Sequence, residues 1–364
     1  MAPVAYRRLA VLGAGGFLGS HLVPALRRRF GAEVVAVDIN LDKLAADALA
    51  PGDNGVERVQ ARLDKPGLIE DVVRRCDVVM SLTAICNPAV YNQRPLDVID
   101  ANYTDLVPLV KLCAEQKRWL IHFSTCEVYG KAALRADTGA PMPAMKEEET
   151  ALWLGPVSKE RWSYACAKQL LERVIFARGR HEGLPFTIVR PFNVIGPRMD
   201  FVQDIDGEGV PRVLASFMGA LLKGDDLLLV DGGKQRRSFI YVDDFVDGVL
   251  AMLARPEACQ GEVFNLGNPR NDTTIAELAE TIAAAYVAAV PGARPGIRTV
   301  SAQELYGEGY DDSLARIPDI TKAKERLGFD PRMPLDEMLP PIIADYRARY
   351  QDRVDQAVAV KSAR

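Results

Sequence analysis

Residues 9–38, LAVLGAGGFLGSHLVPALRRRFGAEVVAVD, constrain the fold of this chain more than any other stretch. LAVLGA (9–14) is a short apolar run without alternation, as expected of a strand buried on both faces. Gly13, Gly16 and Gly19 follow at three-residue spacing, an amphipathic helix is expected from Phe17 to Phe30, and EVVAVD (33–38) reads as a second strand. Strand, glycine turn, helix and strand form a unit whose two strands lie parallel with a right-handed crossover. VERVQARL, CDVVMSLTA and WLIHFST read as further strands, separated by helical patterns near 41–50, 66–75 and 97–117. That alternation predicts an α/β fold, a doubly wound parallel sheet with helices on both faces.

The glycines also suggest chemistry. At a helix opening they permit a tight turn and let backbone N–H groups approach a diphosphate, with Phe17 and Leu18 on the first turn beside it. Asp38 closes the second strand nineteen residues after Gly19, where a carboxylate accepts both ribose hydroxyls of a dinucleotide and repels a 2′-phosphate. The expected cofactor is therefore NAD rather than NADP. An ordinary glycine-rich turn is the alternative for the triplet alone; the strand, helix and terminal Asp around it favour the dinucleotide.

Residues 131–162 break the rhythm with Pro141, Pro143, Pro156 and three consecutive glutamates, and read as a long functional loop. A helix near 159–180 and the strand PFTIVR (185–190) follow. Beyond Gly196 a smaller lobe is expected, with helices near 211–223, 243–254 and 274–288 and strands LLLV (227–230), SFIYV (238–242) and EVFNLG (262–267). The division expected is a dinucleotide domain over 1–190 to which 238–267 returns, a substrate lobe mainly over 191–350, and a frayed polar tail over 351–364.

A formal charge of −4 gives no overall positive field for nucleic acid or an anionic membrane. Six cysteines without a CxxC pair, and three scattered histidines, argue for reduced thiols and against a metal site. With no apolar run of about 18 residues and no leader sequence, a cytoplasmic protein is expected.

Tyr164 and Lys168 are spaced Y-x-x-x-K within an expected helix, which puts both on one face. An ammonium beside a phenol favours phenolate, and a tyrosine with an ordinary pKa of about 10 needs such help to act as a base near neutrality. A solvated surface pair is the alternative reading.

With the glycine run and Y-x-x-x-K in place, the chain resembles the extended short-chain dehydrogenase/reductase family, the NAD-dependent sugar-nucleotide epimerases and dehydratases, from Leu9 to about Asp330. SLTA (81–84), with Thr83 near the cofactor, FSTCEVYG (123–130) and RPFNVIGPR (190–198) match its strand and lobe motifs. More narrowly, TAICNPAVYNQRPLD (83–97), GPVSKERWSYACAKQLLERVI (155–175) and YGEGYDDSLARIPDIT (306–321) resemble the UDP-apiose/UDP-xylose synthases. The similarity to the UDP-glucuronic acid decarboxylase domain of the bifunctional polymyxin-resistance enzyme is weaker.

The resemblance implies a UDP-sugar substrate: UDP-glucuronic acid is oxidised at C4 by bound NAD⁺ and decarboxylated as a β-keto acid. Retro-aldol cleavage of the C2–C3 bond and an aldol closure then contract the ring, and re-reduction gives UDP-apiose, with UDP-xylose as coproduct. It implies that Tyr164, assisted by Lys168, takes the C4 hydroxyl proton, that Thr125 bonds the substrate hydroxyl, and that Glu127, following Cys126 on the same strand, positions the ring. Cys86 and Cys126 would move protons during ring contraction; buried packing is the alternative for both, and is expected of Cys113, Cys166 and Cys259. Arg161 and Arg316 would grip the carboxylate, with Tyr91 and Asp312 as sugar contacts. Asn193, Arg212 and Arg237 would hold the diphosphate and ribose, and Asp64 the adenine. Arg236 and Arg27–Arg29 read as solvated or helix-end charges.

Val194 departs from the tryptophan of the relatives, so the product ratio does not carry over. A homodimer through the helices near 97–117 and 159–180 is also implied. The competing functions are a decarboxylase that stops at UDP-xylose or the keto-pentose, and a non-catalytic NAD-sensing regulator on the same fold.

Overall fold

The computed structural model describes residues 6–44, 54–206, 210–306 and 311–362. Six strands, β1 (Arg8–Leu12), β2 (Glu33–Asp38), β3 (Val56–Gln60), β4 (Val78–Ser81), β5 (Trp119–Phe123) and β6 (Phe186–Pro191), join the later strand Glu262–Leu266 in one sheet. The order across it is Glu262–Leu266, β6, β5, β4, β1, β2, β3, and every neighbouring pair is parallel. The direction of winding reverses between β1 and β4, which opens a crevice at their C-terminal ends.

Alternation along the strands feeds two cores. Leu9, Val11, Val34, Ala36, Met80 and Ile121 face one side, under helix α1 (Phe17–Phe30) and the helix Val242–Ala254. Ala10, Leu12, Val35, Val37, Val79 and Leu120 face the other, under Leu68–Arg75, Val107–Glu115 and Ser163–Glu182. Both faces of a parallel sheet are thereby covered, which is why its strands read as continuous apolar runs.

The stretch expected as one helix over 97–117 is two, Pro95–Asn102 and Val107–Glu115, separated by a 3-10 turn. Pro108 suits the opening of the second, where its missing N–H costs nothing. Of the helix expected near 41–50, residues 45–50 lie outside the described residues, and 42–44 form a turn. SFIYV does not form one strand: Arg236–Ser238 and Ile240–Tyr241 belong to different small sheets. Arg236–Ser238 is the centre of three, between Asp272–Thr274 and Ala315–Arg316. The terminus expected to fray is helical through Ser362, in a helix that starts at Leu335. Buried Tyr346, Tyr350 and Val354 explain the difference, with Arg349 and Arg353 stacked on the tyrosine rings.

Candidate active site

A cleft of about 1650 Å³ runs along the C-terminal ends of the central strands, between the sheet and the later segments. That exceeds the usual volume of a single small-ligand pocket and leaves room for two nucleotides. One end is the glycine turn. Gly13 has φ +90°, and a Cβ there would lie 2.9 Å from the Thr83 backbone nitrogen. A Cβ on Gly19 would lie 2.2 Å from the Gly13 carbonyl oxygen. Gly15, which three-residue spacing passes over, is the tightest, since its Cβ would lie 1.7 Å from Asn40 O. The adjacent pair Gly15–Gly16 was its only signal. Helix α1 starts at this turn with no side-chain cap and no acidic residue in its first turn. Its leading N–H groups and positive dipole end are thus left to the cleft, where Phe17, Leu18 and Thr83 also lie.

Asp38 lines the same end, its carboxylate accepting the Gly15 N–H at 2.9 Å and the Asn40 N–H at 3.3 Å. Asp64 does not join it: the side chain is exposed and paired with Arg62 at 3.2 Å, and it is Ala61, Arg62 and Leu63 that line the cleft.

At the middle of the cleft, Tyr164 and Lys168 lie on one face of the helix Ser163–Glu182, both buried. Lys168 donates to the Phe123 carbonyl at 3.0 Å, and burial lowers its pKa to about 8. Sequence reasoning expected a depressed phenol; instead burial pushes Tyr164 well above its usual value, and a hydrogen bond with Thr125 pulls the other way. Tyr91 stacks on Tyr164 with ring centres 5.1 Å apart. Thr125 and Glu127 do not continue β5 as expected: Thr125 caps a 3-10 turn, Cys126–Tyr129, by accepting the Glu127 N–H at 3.1 Å. The turn aims Cys126 and Glu127 into the cleft.

Glu127 anchors a buried network of charges. Its carboxylate takes Arg161 at 2.7 Å and Arg316 at 3.2 Å, while Asp312 takes Arg316 at 2.9 Å, Arg237 at 2.7 Å and Arg161 at 3.6 Å. Among the described residues, three guanidinium groups thus share two carboxylates. Although burial alone would raise them, these guanidinium groups hold Glu127 below its usual range and bring Asp312 down to about 2. Arg161 also lies over the Tyr91 ring at 5.3 Å. Arg212 lines the cleft further along, doubly bonded to Asp200 at 2.7 and 2.8 Å, a partner that sequence reasoning missed. Asn193, with φ +35°, donates through its side chain to Ser238 O, and its backbone N–H meets the Cys126 sulfur. Arg236 sits apart, half exposed and paired with Asp272.

Cys126 is buried; Cys86, in the loop after β4, is open to the cleft. Both thiols are raised by desolvation within this recess and stay protonated near neutrality. Cys76, Cys113 and Cys259 are core residues, whereas Cys166 is exposed rather than packed. Val194 lines the cleft beside Asn193.

Residues 9–267 match the model of the NAD dependent epimerase/dehydratase family. The chain belongs to that family. Among curated members, the UDP-D-apiose/UDP-D-xylose synthase of Oryza sativa subsp. japonica is 43% identical, covering 99% of this chain and 94% of its own. UDP-D-apiose/UDP-D-xylose synthase 1 of Arabidopsis thaliana is also 43% identical, covering 98% and 95%. Among solved structures, the PbgP3 protein of Burkholderia pseudomallei superposes with a TM-score of 0.82 at 31% identity, over 96% of this chain and 98% of that one. The fold is shared with UDP-glucuronic acid 4-epimerase of Bacillus cereus, at a TM-score of 0.74 and 22% identity over 94% of this chain and all of that one.

The family's cofactor, NAD, fits what the residues offer. The glycine turn leaves no side chain between backbone and ligand, the uncapped helix start suits a diphosphate, and the Asp38 carboxylate suits ribose hydroxyls. Among the described residues there is no cluster suited to a metal ion and no helix long and apolar enough to cross a membrane.

Proposed function

We propose that this protein converts UDP-glucuronic acid to UDP-apiose and UDP-xylose. The observation that carries the reading is one cleft lined by the glycine turn, Tyr164, the Glu127–Arg316 network and two thiols, Cys86 and Cys126. The identity to the plant synthases supports it. NAD, held by Gly13, Gly15, Gly16, Gly19 and Asp38, supplies when bound the two-electron acceptor for oxidation at C4 and returns the electrons at the end.

Tyr164, as the phenolate, takes the proton of the C4 hydroxyl, which Thr125 orients; because burial raises the phenol, that form depends on positive charge, which the Lys168 ammonium and, when bound, NAD⁺ would supply. Lys168 holds its ammonium on the Phe123 carbonyl behind the pair. The resulting ketone is β to the C6 carboxylate, so CO₂ leaves with its bonding electrons retained as an enolate. The guanidinium groups of the network suit the carboxylate before that step and the enolate after it. Arg161 and Arg316 receive these anions, Glu127 fixes the two guanidinium groups, and Tyr91 and Asp312 contact the sugar. Protonated thiols are proton donors rather than nucleophiles; Cys126 and Cys86 deliver and recover protons while the C2–C3 bond breaks by retro-aldol cleavage and the new ring bond forms. Asn193, Arg212 and Arg237 hold the nucleotide diphosphate and ribose.

In this reading residues 1–190 and the returning segment form the cofactor domain and 191–350 mainly the sugar-nucleotide lobe. The protein is a cytoplasmic lyase. It is also a homodimer, supported by Leu170 and Phe176, exposed large apolar side chains on the helix Ser163–Glu182.

Incubation with NAD⁺ and UDP-glucuronic acid, followed by proton NMR, tests the proposal. A branched furanose product, or the cyclic phosphate formed by its breakdown, is expected beside UDP-xylose, and the Cys86→Ala, Cys126→Ala double variant should lose the furanose alone. UDP-xylose or keto-pentose as the only wild-type product overturns the ring contraction. No pentose nucleotide overturns the whole reading.

A further inference from the structure

The groups assigned to the reaction sit on three segments far apart in sequence: the turn Cys126–Tyr129, the helix Ser163–Glu182 and the strand Ala315–Arg316. Two of them are tied to one side chain that does not line the cleft, and the helix is tied to its neighbour on the next strand. Asn265, fully buried near the end of the strand Glu262–Leu266, accepts the Tyr129 hydroxyl at 2.8 Å. Its amide donates to Met145 O at 2.8 Å and to Asp319 O at 3.1 Å. Met145 in turn pairs with the segment behind Arg316, donating to Ile317 O at 2.8 Å and accepting from Asp319 N at 2.9 Å.

The register partner of Asn265 on β6 is Arg190. Its guanidinium lies over the Tyr129 ring at 4.7 Å and is doubly bonded to Glu172 at 3.0 and 2.6 Å. Glu172 is one helical turn beyond Lys168, so the tyrosine–lysine helix is bound to the same junction. Every hydrogen-bonding atom of the Asn265 side chain is thereby used, and the Asn265 backbone N–H meets Glu147 at 2.8 Å. A fully satisfied buried polar network fixes one arrangement of its neighbours.

We propose that Asn265 is a positioning residue that holds the Arg316 segment against Glu127, and so keeps the charge network in register with Tyr164. The inference rests on the proposed function for its readout. Replacing the amide by a carboxylate keeps an acceptor for Tyr129 but turns the one donating nitrogen into an acceptor oxygen facing two carbonyl groups. The 317–319 segment then loses its anchor, and Arg316 withdraws from Glu127. Glu127 lies below its usual range partly because of Arg316, so the loss raises its pKa.

The test is Asn265→Asp in the full chain with NAD, measured for kcat, KM and the pH profile. A misplacement of this kind costs on the order of 10²-fold in kcat, with the acid limb moved to higher pH and NAD affinity kept. Tyr129→Phe, which removes one hydroxyl and leaves the ring under Arg190, supplies a variant that folds; a smaller kcat loss with the limb moved the same way is expected. Wild-type kcat in both variants, or reduced kcat with the acid limb unmoved, overturns the inference. Calorimetry provides an independent reading: Asn265→Asp should lose the preference for UDP-glucuronic acid over UDP-xylose, and an unchanged preference also overturns it. Wild-type protein that makes no pentose nucleotide would instead overturn the proposed function, leaving the calorimetric comparison to decide the role of Asn265.

Discussion

The two ends of the cleft solve the problem of binding an anion in opposite ways. The cofactor end uses backbone: Gly13, Gly15, Gly16 and Gly19 bring N–H groups and an uncapped helix start to the ligand, with Asp38 as its one nearby carboxylate of assigned role. The sugar end uses five charged side chains, buried Glu127, Arg161, Arg237 and Arg316 with the partly buried Asp312, which fix one another. The first is rigid because no side chain fits. The second is rigid because no charge can leave its partners without being stranded in a low-dielectric interior.

This contrast sets how each end should break. Arg316→Ala strands Glu127 and Asp312 in part, and loss of one partner of a buried pair costs about 3–5 kcal/mol. Decarboxylation should vanish while NAD binding, at the other end, persists; calorimetry with NAD and turnover of UDP-glucuronic acid separate the two, and retained turnover would refute the role of Arg316. Gly13→Ala should do the reverse. Its φ of +90° and the contact with Thr83 impose strain of about 1–3 kcal/mol on any side chain there, and NAD affinity, followed by quenching of protein fluorescence, should fall sharply while the charge network stays intact.

Acid should unlock the sugar end first. Asp312 lies at about 2 against an ordinary 3.8, so its stabilisation is fully present above about pH 4 and is lost as pH falls towards 2. The amount is about 2 kcal/mol, and Glu127, also lowered, acts in the same direction. Melting temperatures recorded from pH 5 to pH 2 should drop through that window, and a flat profile would count against the buried network. The smallest effect is expected of Asp38→Ala. Losing the hydrogen bonds to Gly15 and Asn40 costs about 1 kcal/mol, and the NAD-over-NADP preference should narrow in paired titrations; an unchanged ratio would remove Asp38 from cofactor choice.

The same contrast explains what could be read from the sequence. The cofactor end lies within residues 13–38 and follows local rules of spacing, so strand, turn, helix and Asp38 were legible from physics. The charge network spans residues 127 to 316, and no periodicity relates Glu127 to Asp312; resemblance selected its members, and the structure supplied their pairing. Three local readings missed for physical reasons. The Thr125 cap turns the chain away from β5, burial outweighs Lys168 in setting the Tyr164 phenol, and Asp64 finds Arg62 closer than the cleft. Arg212 lines the cleft, and its pairing with Asp200 could not be seen before the fold brought them together.

The bare beginning of helix α1 has a consequence for the protein's lifetime. A helix whose leading N–H groups await a diphosphate is incomplete until one arrives, so NAD acts as the missing cap and as part of the fold. Limited proteolysis with and without NAD should then find the molecules lacking it cut faster, and equal rates would show that the helix start needs no such partner.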